Sequence, residues 1–353
     1  MTSGLLGSDV PLAERYDVGL VDLDGVAYRG HEPIDGAAES LASARGRGMR
    51  LVFVTNNASR EPESVARQLT ELGIPTEPRE IFTAALAAAK MLTTRLPRGA
   101  KVLVIGGAGL VTAVRAAGFT MVDSADDGPL AVVQGFSPEL GWAQLAEAAY
   151  AIERGAWHVA SNLDLSLPTA RGLAPGNGSL VRAVQSATNV APTSAGKPSP
   201  ELFRMAVDLV GGSTPLVIGD RLDTDLAGAH AAGYPGLHVL TGVSSARDDV
   251  LAAPDERPDF IGADLRALLV PHPRPARVAE GWWSCREAAA RVVDGRLQLH
   301  PSSRGVADVE AEMDVVRAAC AAAWAAVDAD HALDAASVPE LGVQGTGSFG
   351  AAG

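Results

Sequence analysis

The sequence has little cysteine, no long apolar run and fewer positive than negative charges. Among its 353 residues the two cysteines are Cys285 and Cys320. Two thiols cannot form the disulfide framework that holds small secreted domains together, and they favour a reducing compartment. Neither thiol has an evident base or partner beside it, so we expect both to be buried and inert in a cytoplasmic protein.

The lack of long apolar runs argues against a membrane protein. No stretch reaches the roughly 18 consecutive apolar residues that a membrane-spanning helix needs. The N-terminal segment MTSGLLGSDVPLAERYD has neither the basic start nor the long apolar centre of a secretory signal peptide. We therefore expect no membrane span and no signal peptide.

The charge balance bears on the partners of the protein. There are 29 Lys and Arg residues against 42 Asp and Glu residues, so the formal net charge is 29 − 42 = −13. An acidic chain has no broad field that attracts a phosphate backbone, which argues against a nucleic-acid partner. A small anionic substrate is compatible with this charge only where a local cation or metal overrides it.

Apolar runs alternate with helical patterns through most of the chain. Runs such as LVFVTNN and KVLVIGG are typical of buried strands, whereas EPESVARQLTELG and PSPELFRMAVDLVGG predict helices. Buried strands that alternate with helices predict an α/β fold with a parallel sheet. The predicted parts are residues 1–83 and 191–271 (core), 84–190 (an inserted α/β domain), 275–335 (a small C-terminal domain with a hairpin turning at Asp294-Gly295) and 340–353 (a disordered tail).

Polar residues cluster in the sequence where the predicted strands of the core end. Open α/β sheets bind ligands beyond the carboxyl ends of their strands, so these positions are candidates for a site. They comprise an acidic set, a hydroxyl and amide loop and one lysine before a helix. The residues are Asp22, Asp24, Thr55, Asn56, Asn57, Lys197, Asp220, Asp223 and Asp225.

This set of residues suits the transfer of a phosphoryl group. Converging carboxylates repel one another unless a hard cation lies among them, and oxygen ligands of this kind select Mg²⁺. A carboxylate can serve as the nucleophile, and a second carboxylate can act first as acid and then as base. A threonine hydroxyl, backbone N–H groups and a lysine can bind the phosphate oxygens.

Four segments resemble, in order, the four motifs of the haloacid dehalogenase-like (HAD) phosphatases. They are DLDGVAY, FVTNNAS, GKPSP and GDRLDTD. The insertion between the second and third motifs resembles the C2-type cap of the NagD-like and para-nitrophenylphosphatase branch. Over residues 17–270 the resemblance thus implies a Rossmann-like parallel-sheet core with an inserted α/β cap, followed by a small α+β C-terminal extension.

The resemblance implies a role for each matching position. Asp22 would be the nucleophile, and Asp24 the general acid and base, with its backbone carbonyl meeting the metal. Asp220 would join Asp22 and Asp24 as the third protein ligand of Mg²⁺, and Asp225 would orient metal-bound water from the second shell. The implied phosphate and substrate contacts are Gly25, Thr55, Asn56, Asn57 and Lys197.

The cap segment ASNLDLSLPTARGLAPGNGSL looks like the part of this branch that selects the substrate. We expect Asn162, Asp164 and Asn177 to reach over the pocket and Arg171 to contact the polar end of a small phosphorylated metabolite. The core with its extension is similar to mycobacterial-type glycerol-3-phosphate phosphatases, which favours glycerol 3-phosphate as substrate. 2-Phosphoglycolate comes second, and nucleoside monophosphates and pyridoxal phosphate come next.

Several features also have plainer interpretations. Asp223 is explained equally well as a helix N-cap, and VIGGAGL fails the spacing of a dinucleotide-binding loop and predicts a tight strand–helix turn. A non-catalytic metabolite-binding protein is the second functional hypothesis, although such proteins usually lose the nucleophile or the acid. The C-terminal domain resembles a fragment of a GNAT-like acetyltransferase but lacks a glycine-rich pyrophosphate loop, so we expect a stabilising or interaction role, including formation of a homodimer.

Overall fold

The computed structural model describes residues 4–169, 171–300 and 308–343. The chain folds into two units, with divisions after Val52 and after Leu209: the segment Phe53–Leu209 is the second unit, and the segments on either side of it form the first. The division of core and inserted cap at residues 83 and 190 stays a prediction. The tail expected to be disordered lies, from residue 344 onwards, outside the described residues.

The strands and helices alternate along most of the chain. The strands are β1 (Val18–Val21), β2 (Tyr28–Arg29), β3 (Glu32–Pro33), β4 (Arg50–Thr55), β5 (Ile81–Thr83), β6 (Lys101–Ile105), β7 (Thr120–Val122), β8 (Ala131–Gln134), β9 (Trp157–Ala160), β10 (Ser166–Thr169), β11 (Gly172–Pro175), β12 (Thr193–Ser194), β13 (Pro215–Gly219), β14 (Gly236–Val239), β15 (Phe260–Gly262), β16 (Ala276–Arg277), β17 (Trp283–Cys285), β18 (Ala288–Val293) and β19 (Arg296–His300). The α-helices are α1 (Leu12–Arg15), α2 (Ala37–Gly46), α3 (Pro62–Glu71), α4 (Ala84–Thr93), α5 (Ala108–Ala116), α6 (Trp142–Glu153), α7 (Asn177–Thr188), α8 (Pro200–Val210), α9 (Ala227–Ala232), α10 (Ala246–Leu251) and α11 (Val309–Asp328).

The first unit contains a parallel sheet with the strand order β15, β14, β13, β1 and β4. β1 and β13 pair from Val18 with Pro215 to Val21 with Ile218, and every residue of both strands is buried. Strands covered on both faces need apolar side chains at every position, which explains their continuous apolar sequences. The predicted parallel α/β sheet is confirmed.

β4 starts in the first unit and continues in the second. The N–H of Arg50 donates to the carbonyl oxygen of Asp17 at 3.0 Å within the first unit. In the second unit the end of β4 pairs in parallel with β5, and Thr55 lies opposite Thr83. The loop that begins at Thr55 is thereby fixed at the carboxyl end of a buried strand.

The second unit also contains a parallel sheet with the order β12, β9, β8, β6 and β7. Its core includes Leu103, Val132 and Ile152. The segment VIGGAGL forms the turn between β6 and α5, as predicted. A Cβ atom at Gly109 would overlap the backbone of Arg60, so this glycine permits a close approach of two segments.

The C-terminal extension consists of an antiparallel sheet in the order β16 to β19 and the long helix α11. Asp294 and Gly295 join β18 to β19 with φ angles of 50° and 74°. A two-residue hairpin with positive φ at both positions matches the expected type of turn and confirms the predicted hairpin. Alanines of α11 pack against Ala290 and Leu297 of this sheet in one apolar cluster.

Among the described residues, no helix is both long enough and apolar enough to cross a membrane.

Candidate active site

Two carboxylates follow β1 at its carboxyl end. The N–H of Asp22 donates to the carbonyl oxygen of Ile218 at 2.8 Å, which continues the pairing of β1 with β13. Asp22 is half-buried and Asp24 is exposed, and an oxygen of Asp24 accepts from the N–H of Gly30 at 3.3 Å. Gly25 has a φ of +91°, a conformation in which the chain turns away directly after the two acids.

Asp220 follows β13 and is 1% exposed. Its Oδ2 accepts from the N–H of Val243 at 2.7 Å. A Cβ atom at Gly25 or at Gly242 would overlap the carboxylate of Asp220. Two glycines therefore form the space in which this carboxylate lies, and the sequence places both of them in loops that follow strands.

Three carboxylates of the first unit converge. Asp22, Asp220 and Asp225 each offer one oxygen, and these oxygens lie within 4.8 Å of one another. Asp225 is 1% exposed, and its Oδ2 accepts from the N–H of Arg221 at 3.2 Å. Asp225 thus lies beside Asp22 and Asp220, whereas the side chain of Asp24 is not a member of this group.

Asp223 lies in the same acidic sequence but has different surroundings. It follows Arg221, whose guanidinium donates to both of its oxygens at 3.0 and 2.8 Å. Residues Leu222–Leu226 form a single π-helical turn, so Asp223 does not begin a regular α-helix. Its carboxylate forms an exposed ion pair with Arg221.

The hydroxyl and amide loop lies in the second unit. The Oγ1 of Thr55 accepts from the N–H of Asn57 at 3.1 Å, and Oδ1 of Asn57 accepts from the N–H of Ser59 at 3.0 Å. Lys197 is 3% exposed. Burial of a lysine is expensive unless its charge serves a partner or ligand, so this position is typical of a functional lysine.

The side chain of Asn56 connects the loop to two other segments of the second unit. Its Oδ1 accepts from the N–H of Lys197 at 2.8 Å, and its Nδ2 donates to the carbonyl oxygen of Lys197 at 3.3 Å. The same Nδ2 lies 3.1 and 3.2 Å from the two oxygens of Asp164. Asn56, expected from the sequence to contact phosphate, therefore uses its amide to hold Lys197 and Asp164.

The expected cap residues have different environments. Asn162 is 6% exposed and donates to the carbonyl oxygen of Asn56 at 2.8 Å. Asn177 is 2% exposed and donates to the carbonyl oxygen of Asn162 at 2.8 Å. Arg171 is exposed in the turn between β10 and β11. Asn162 and Asn177 thus hold the backbone, and Arg171 has an exposed side chain.

Comparison with known proteins identifies the family. A model of the haloacid dehalogenase-like hydrolases matches residues 19–120, and a second HAD-hydrolase-like model matches residues 194–268. The D-glycerol 3-phosphate phosphatase of Mycobacterium tuberculosis is 44% identical over 329 residues, which cover 90% of this chain and 89% of that protein. The chain belongs to the haloacid dehalogenase-like hydrolase family.

Other members of the HAD family extend the comparison. The acid sugar phosphatase of Staphylococcus aureus is 37% identical over 67% of this chain and 90% of its own length. A glycerol phosphate phosphatase from M. tuberculosis, solved with magnesium, is 43% identical, has a TM-score of 0.81 and covers 90% of this chain and 92% of its own. The Geobacillus stearothermophilus NPPase has a TM-score of 0.65 at 34% identity, over 71% of this chain and 96% of its own.

The acidic group of this HAD hydrolase fits a bound magnesium ion. Asp22, Asp220 and Asp225 supply carboxylate oxygens, the hard ligands that Mg²⁺ prefers. Asp220 is held in its cradle of glycines by a hydrogen bond from Val243, so its orientation is fixed. Oxygen donors held rigidly after β1, after β13 and in the turn Leu222–Leu226 suit a cation that demands nearly ideal geometry.

Sequence reasoning missed a second layer of residues behind this HAD site. The hydroxyl of Thr241 donates to the carbonyl oxygen of Gly25 at 2.6 Å. His238 is fully buried; its Nδ1 lies 2.9 Å from Asp249 and its Nε2 lies 3.1 Å from the carbonyl oxygen of Asp220. The sequence did contain a signal for His238, because it lies in the apolar strand segment GLHVL. A histidine buried in such a strand needs hydrogen-bond partners.

Burial and mutual attraction act against each other in the buried His238–Asp249 pair. Burial lowers the pKa of His238, but the neighbouring Asp249 carboxylate and hydrogen bonds outweigh it, so this pKa is raised overall. Burial raises the pKa of Asp249 above its usual range, against the opposing effect of His238. The two groups are therefore held together as a coupled pair inside the first unit.

The two thiols are buried as expected, but the expectation that neither has a partner is wrong for Cys285, whose thiol donates to Oδ1 of Asp314 at 3.5 Å. Cys285 and Cys320 are free and buried. Burial, with Asp314 nearby, raises the pKa of Cys285 to about 12, and burial also raises the pKa of Cys320 well above its usual value. Raised pKa values disfavour the reactive thiolate form, so the environments of both sulfurs are those of structural rather than catalytic cysteines.

Proposed function

We propose that this phosphatase hydrolyses glycerol 3-phosphate to glycerol and inorganic phosphate. The observation that carries the proposal is the 44% identity to the M. tuberculosis D-glycerol 3-phosphate phosphatase over 90% of this chain. A match of that extent must include most of the C-terminal extension, whereas the acid sugar phosphatase matches only 67% of the chain. The likeness thus covers core, cap and extension together.

The proposed cofactor is Mg²⁺. Asp22, Asp220 and the main-chain carbonyl of Asp24 would hold it, and Asp225 would contribute to the same oxygen-lined group. When bound, the cation neutralises negative charge on the phosphate oxygens and on the attacking carboxylate. This contribution matters in a chain with a net charge of −13, because the protein as a whole repels an anionic substrate.

In the proposed first step, a carboxylate oxygen of Asp22 attacks phosphorus. A bond forms between Asp22 and phosphorus while the bond between phosphorus and the glycerol oxygen breaks. Asp24, protonated at this stage, gives its proton to the departing alkoxide, so that glycerol leaves neutral. The exposed position of Asp24 lets a water molecule reach it, and this water supplies the returning proton in the second step.

In the proposed second step, water attacks the phosphorus of the aspartyl phosphate. Asp24, now ionised, removes a proton from this water as the new oxygen–phosphorus bond forms. The bond between phosphorus and Asp22 breaks, which releases phosphate and restores the free carboxylate of Asp22. Asp24 is protonated again, so the enzyme returns to its starting state.

The polar loop of the second unit would bind the phosphate. We assign phosphate contacts to Gly25, Thr55, the backbone of Asn56 and Asn57, and Lys197. The amide of Asn56 is occupied by Lys197 and Asp164, which favours a backbone contact from this residue rather than a side-chain contact. Asn162 and Asn177 would hold the cap loop, and Asp164 and Arg171 would contact the glycerol end.

A panel of phosphomonoesters tests the substrate. We expect glycerol 3-phosphate to give the highest kcat/KM in the presence of Mg²⁺, with 2-phosphoglycolate second and sugar phosphates, nucleoside monophosphates and pyridoxal phosphate below them. Phosphate release would be measured with and without EDTA. Equally slow release from every compound would contradict the substrate assignment.

Replacement of Asp22 tests the mechanism separately. Asp22→Asn keeps the shape of the side chain and removes the nucleophile, so we expect kcat to fall by at least about a thousandfold. Full turnover in this variant would contradict the aspartyl-phosphate mechanism. Binding of glycerol 3-phosphate by the unaltered protein with no turnover of any compound would favour a non-catalytic metabolite-binding role.

We also propose that the enzyme acts in the cytoplasm and forms a homodimer. The two free, buried thiols support a reducing compartment. Trp142 and Leu173 are each 79% exposed, and large apolar side chains on a surface favour a contact with another protein surface. Light scattering coupled to size exclusion measures the mass directly, and a mass of about 36 kDa would contradict the dimer.

A further inference from the structure

Asp220 is held through its main chain as well as its carboxylate. Its carbonyl oxygen accepts from the N–H of Ser244 at 3.0 Å and lies 3.1 Å from Nε2 of His238. A carbonyl oxygen can only accept, so Nε2 of His238 carries a hydrogen in this contact. Nε2 must carry this hydrogen whether the proton between Nδ1 and Asp249 lies on the histidine or on the carboxylate.

Asp249 connects His238 to the C-terminal extension. Its side chain lies 2.9 Å from Nδ1 of His238, and its carbonyl oxygen accepts from the indole N–H of Trp324 at 2.9 Å. Asp249 lies in the last turn of α10, and its carbonyl oxygen also accepts from the N–H of Ala252, the residue that caps this helix, at 3.3 Å. Trp324 of α11 provides the second and shorter of these two hydrogen bonds.

Trp324 itself is fixed by its surroundings. It is 2% exposed, and the guanidinium of Arg257 lies 5.3 Å from its ring centroid. Arg257 is buried as well and forms an ion pair with Asp328 of α11 at 2.7 Å. The indole therefore has little freedom to leave the Asp249 carbonyl.

These contacts form an unbroken buried chain within the first unit, from α11 through α10 and β14 to Asp220. We propose that the C-terminal extension positions a metal ligand: Trp324, Asp249 and His238 are positioning residues that set the orientation of Asp220. The inference rests on the Mg²⁺ site of the proposed function. Partners of a ligand that fix its orientation typically change metal affinity 10- to 100-fold when they are removed.

Substitutions of His238 test the contact between this residue and the carbonyl oxygen of Asp220. His238→Asn removes the donor to Asp220, and we expect about tenfold weaker Mg²⁺ binding in calorimetric titration of the metal-free protein. His238→Gln places an amide N–H near the position of Nε2, so its affinity should return to within about threefold of the unaltered protein. In turnover assays the Mg²⁺ concentration for half-maximal rate should rise, while the KM for glycerol 3-phosphate stays nearly constant.

Substitution of Trp324 tests the outer end. Trp324→Phe keeps an aromatic ring and removes the N–H, and we expect roughly threefold to tenfold weaker Mg²⁺ binding. In a double variant with His238→Asn, Trp324→Phe should weaken Mg²⁺ binding little further, because both substitutions interrupt the same series of contacts to Asp220. Trp283→Phe is the matched control. Trp283 lies in β17 of the same extension but is not one of the residues that connect Trp324 to Asp220, so this variant should bind Mg²⁺ as tightly as the unaltered protein.

The outcomes separate this inference from the function on which it rests. His238→Asn and Trp324→Phe proteins that show normal circular dichroism and thermal unfolding, and bind Mg²⁺ as tightly as the unaltered protein, would overturn the inference alone. Absence of Mg²⁺ binding in the unaltered protein would overturn the inference together with the proposed metal site. Calorimetry needs no substrate, so failure of glycerol 3-phosphate in the panel would overturn only the substrate assignment.

Discussion

Asp220 and Asp223 are three residues apart and have opposite environments. Asp220 is buried in a cradle of two glycines, whereas the side chain of Asp223 is 56% exposed and pairs with Arg221. An exposed ion pair of this kind contributes about 0–1 kcal/mol to stability. At the scale of single residues, a candidate metal ligand differs from a surface acid of the same motif in two ways: its side chain is buried, and its oxygens lie close to those of other carboxylates.

The pair makes a matched experiment. Asp220→Asn removes one charged ligand at nearly constant shape, so we expect Mg²⁺ affinity to fall at least about tenfold. Asp223→Asn should leave both Mg²⁺ affinity and phosphate release within about twofold of the unaltered enzyme. Calorimetry with Mg²⁺ and a phosphate-release assay provide the measurements. Equal losses in the two variants would argue against the assignment of Asp220.

Asn56 makes a second prediction at this scale. Asn56→Asp keeps the oxygen that accepts from the Lys197 N–H but replaces the donor that faces Asp164 with a second negative charge. We expect the second unit to lose about 1–3 kcal/mol of stability, because buried hydrogen bonds are lost and two carboxylates are brought together. Denaturant unfolding measures the change, and an unaltered midpoint would contradict the role of Asn56 in holding these segments.

At the scale of elements, turn chemistry specifies the hairpin of the extension. Asp294-Gly295 joins β18 to β19 with positive φ at both residues, and a Cβ at Gly295 would lie 3.1 Å from the carbonyl oxygen of Ala332. A two-residue loop of this type matches the right-handed twist of the strands that it connects. The sequence was sufficient for this element because the requirement is local.

Gly295→Ala tests the hairpin. We expect it to lower the free energy of unfolding by about 1–2 kcal/mol, because alanine is strained at this φ and its methyl group crowds Ala332. Asp294→Asn should be nearly neutral, since asparagine tolerates the left-handed region well. Chemical denaturation of both variants gives the comparison, and equal stability of the two would contradict the assigned turn.

At the scale of the whole molecule, each unit contains a buried histidine that is held neutral. Burial lowers the pKa of His158 in the second unit and of His272 in the first from 6.5 to about 4. Between pH 6.5 and 4 the unfolded state therefore binds more protons than the folded state. Stability from both groups is fully present above pH 6.5 and is lost as pH falls towards 4.

We accordingly expect the protein to become less stable on acidification through this window, by up to about 3 kcal/mol for each histidine. His158→Gln and His272→Gln should each flatten the dependence of the unfolding midpoint on pH between 6.5 and 4. His331→Gln, at an exposed histidine, is the control and should leave the slope unchanged. Unaltered slopes in both buried-site variants would contradict the prediction.

The sequence by itself determined the α/β class, the acids after β1 and β13, the lysine before α8 and the hairpin at Asp294. Each of these follows from a local rule: the period of apolar residues, the identity of turn residues or the spacing of a motif. The roles of Asp22, Asp24 and Lys197 came from the resemblance to a family rather than from periodicity.

Only the tertiary structure decided which side chains of distant segments meet. It placed Asp225 beside Asp22 and Asp220, and it directed the amide of Asn56 to Lys197 and Asp164. The connection from Trp324 to Asp220, through residues that lie more than a hundred positions apart at its ends, has no signature in composition or spacing. Such contacts depend on how whole elements pack, and a buried polar group takes whichever partner that packing brings within hydrogen-bond distance.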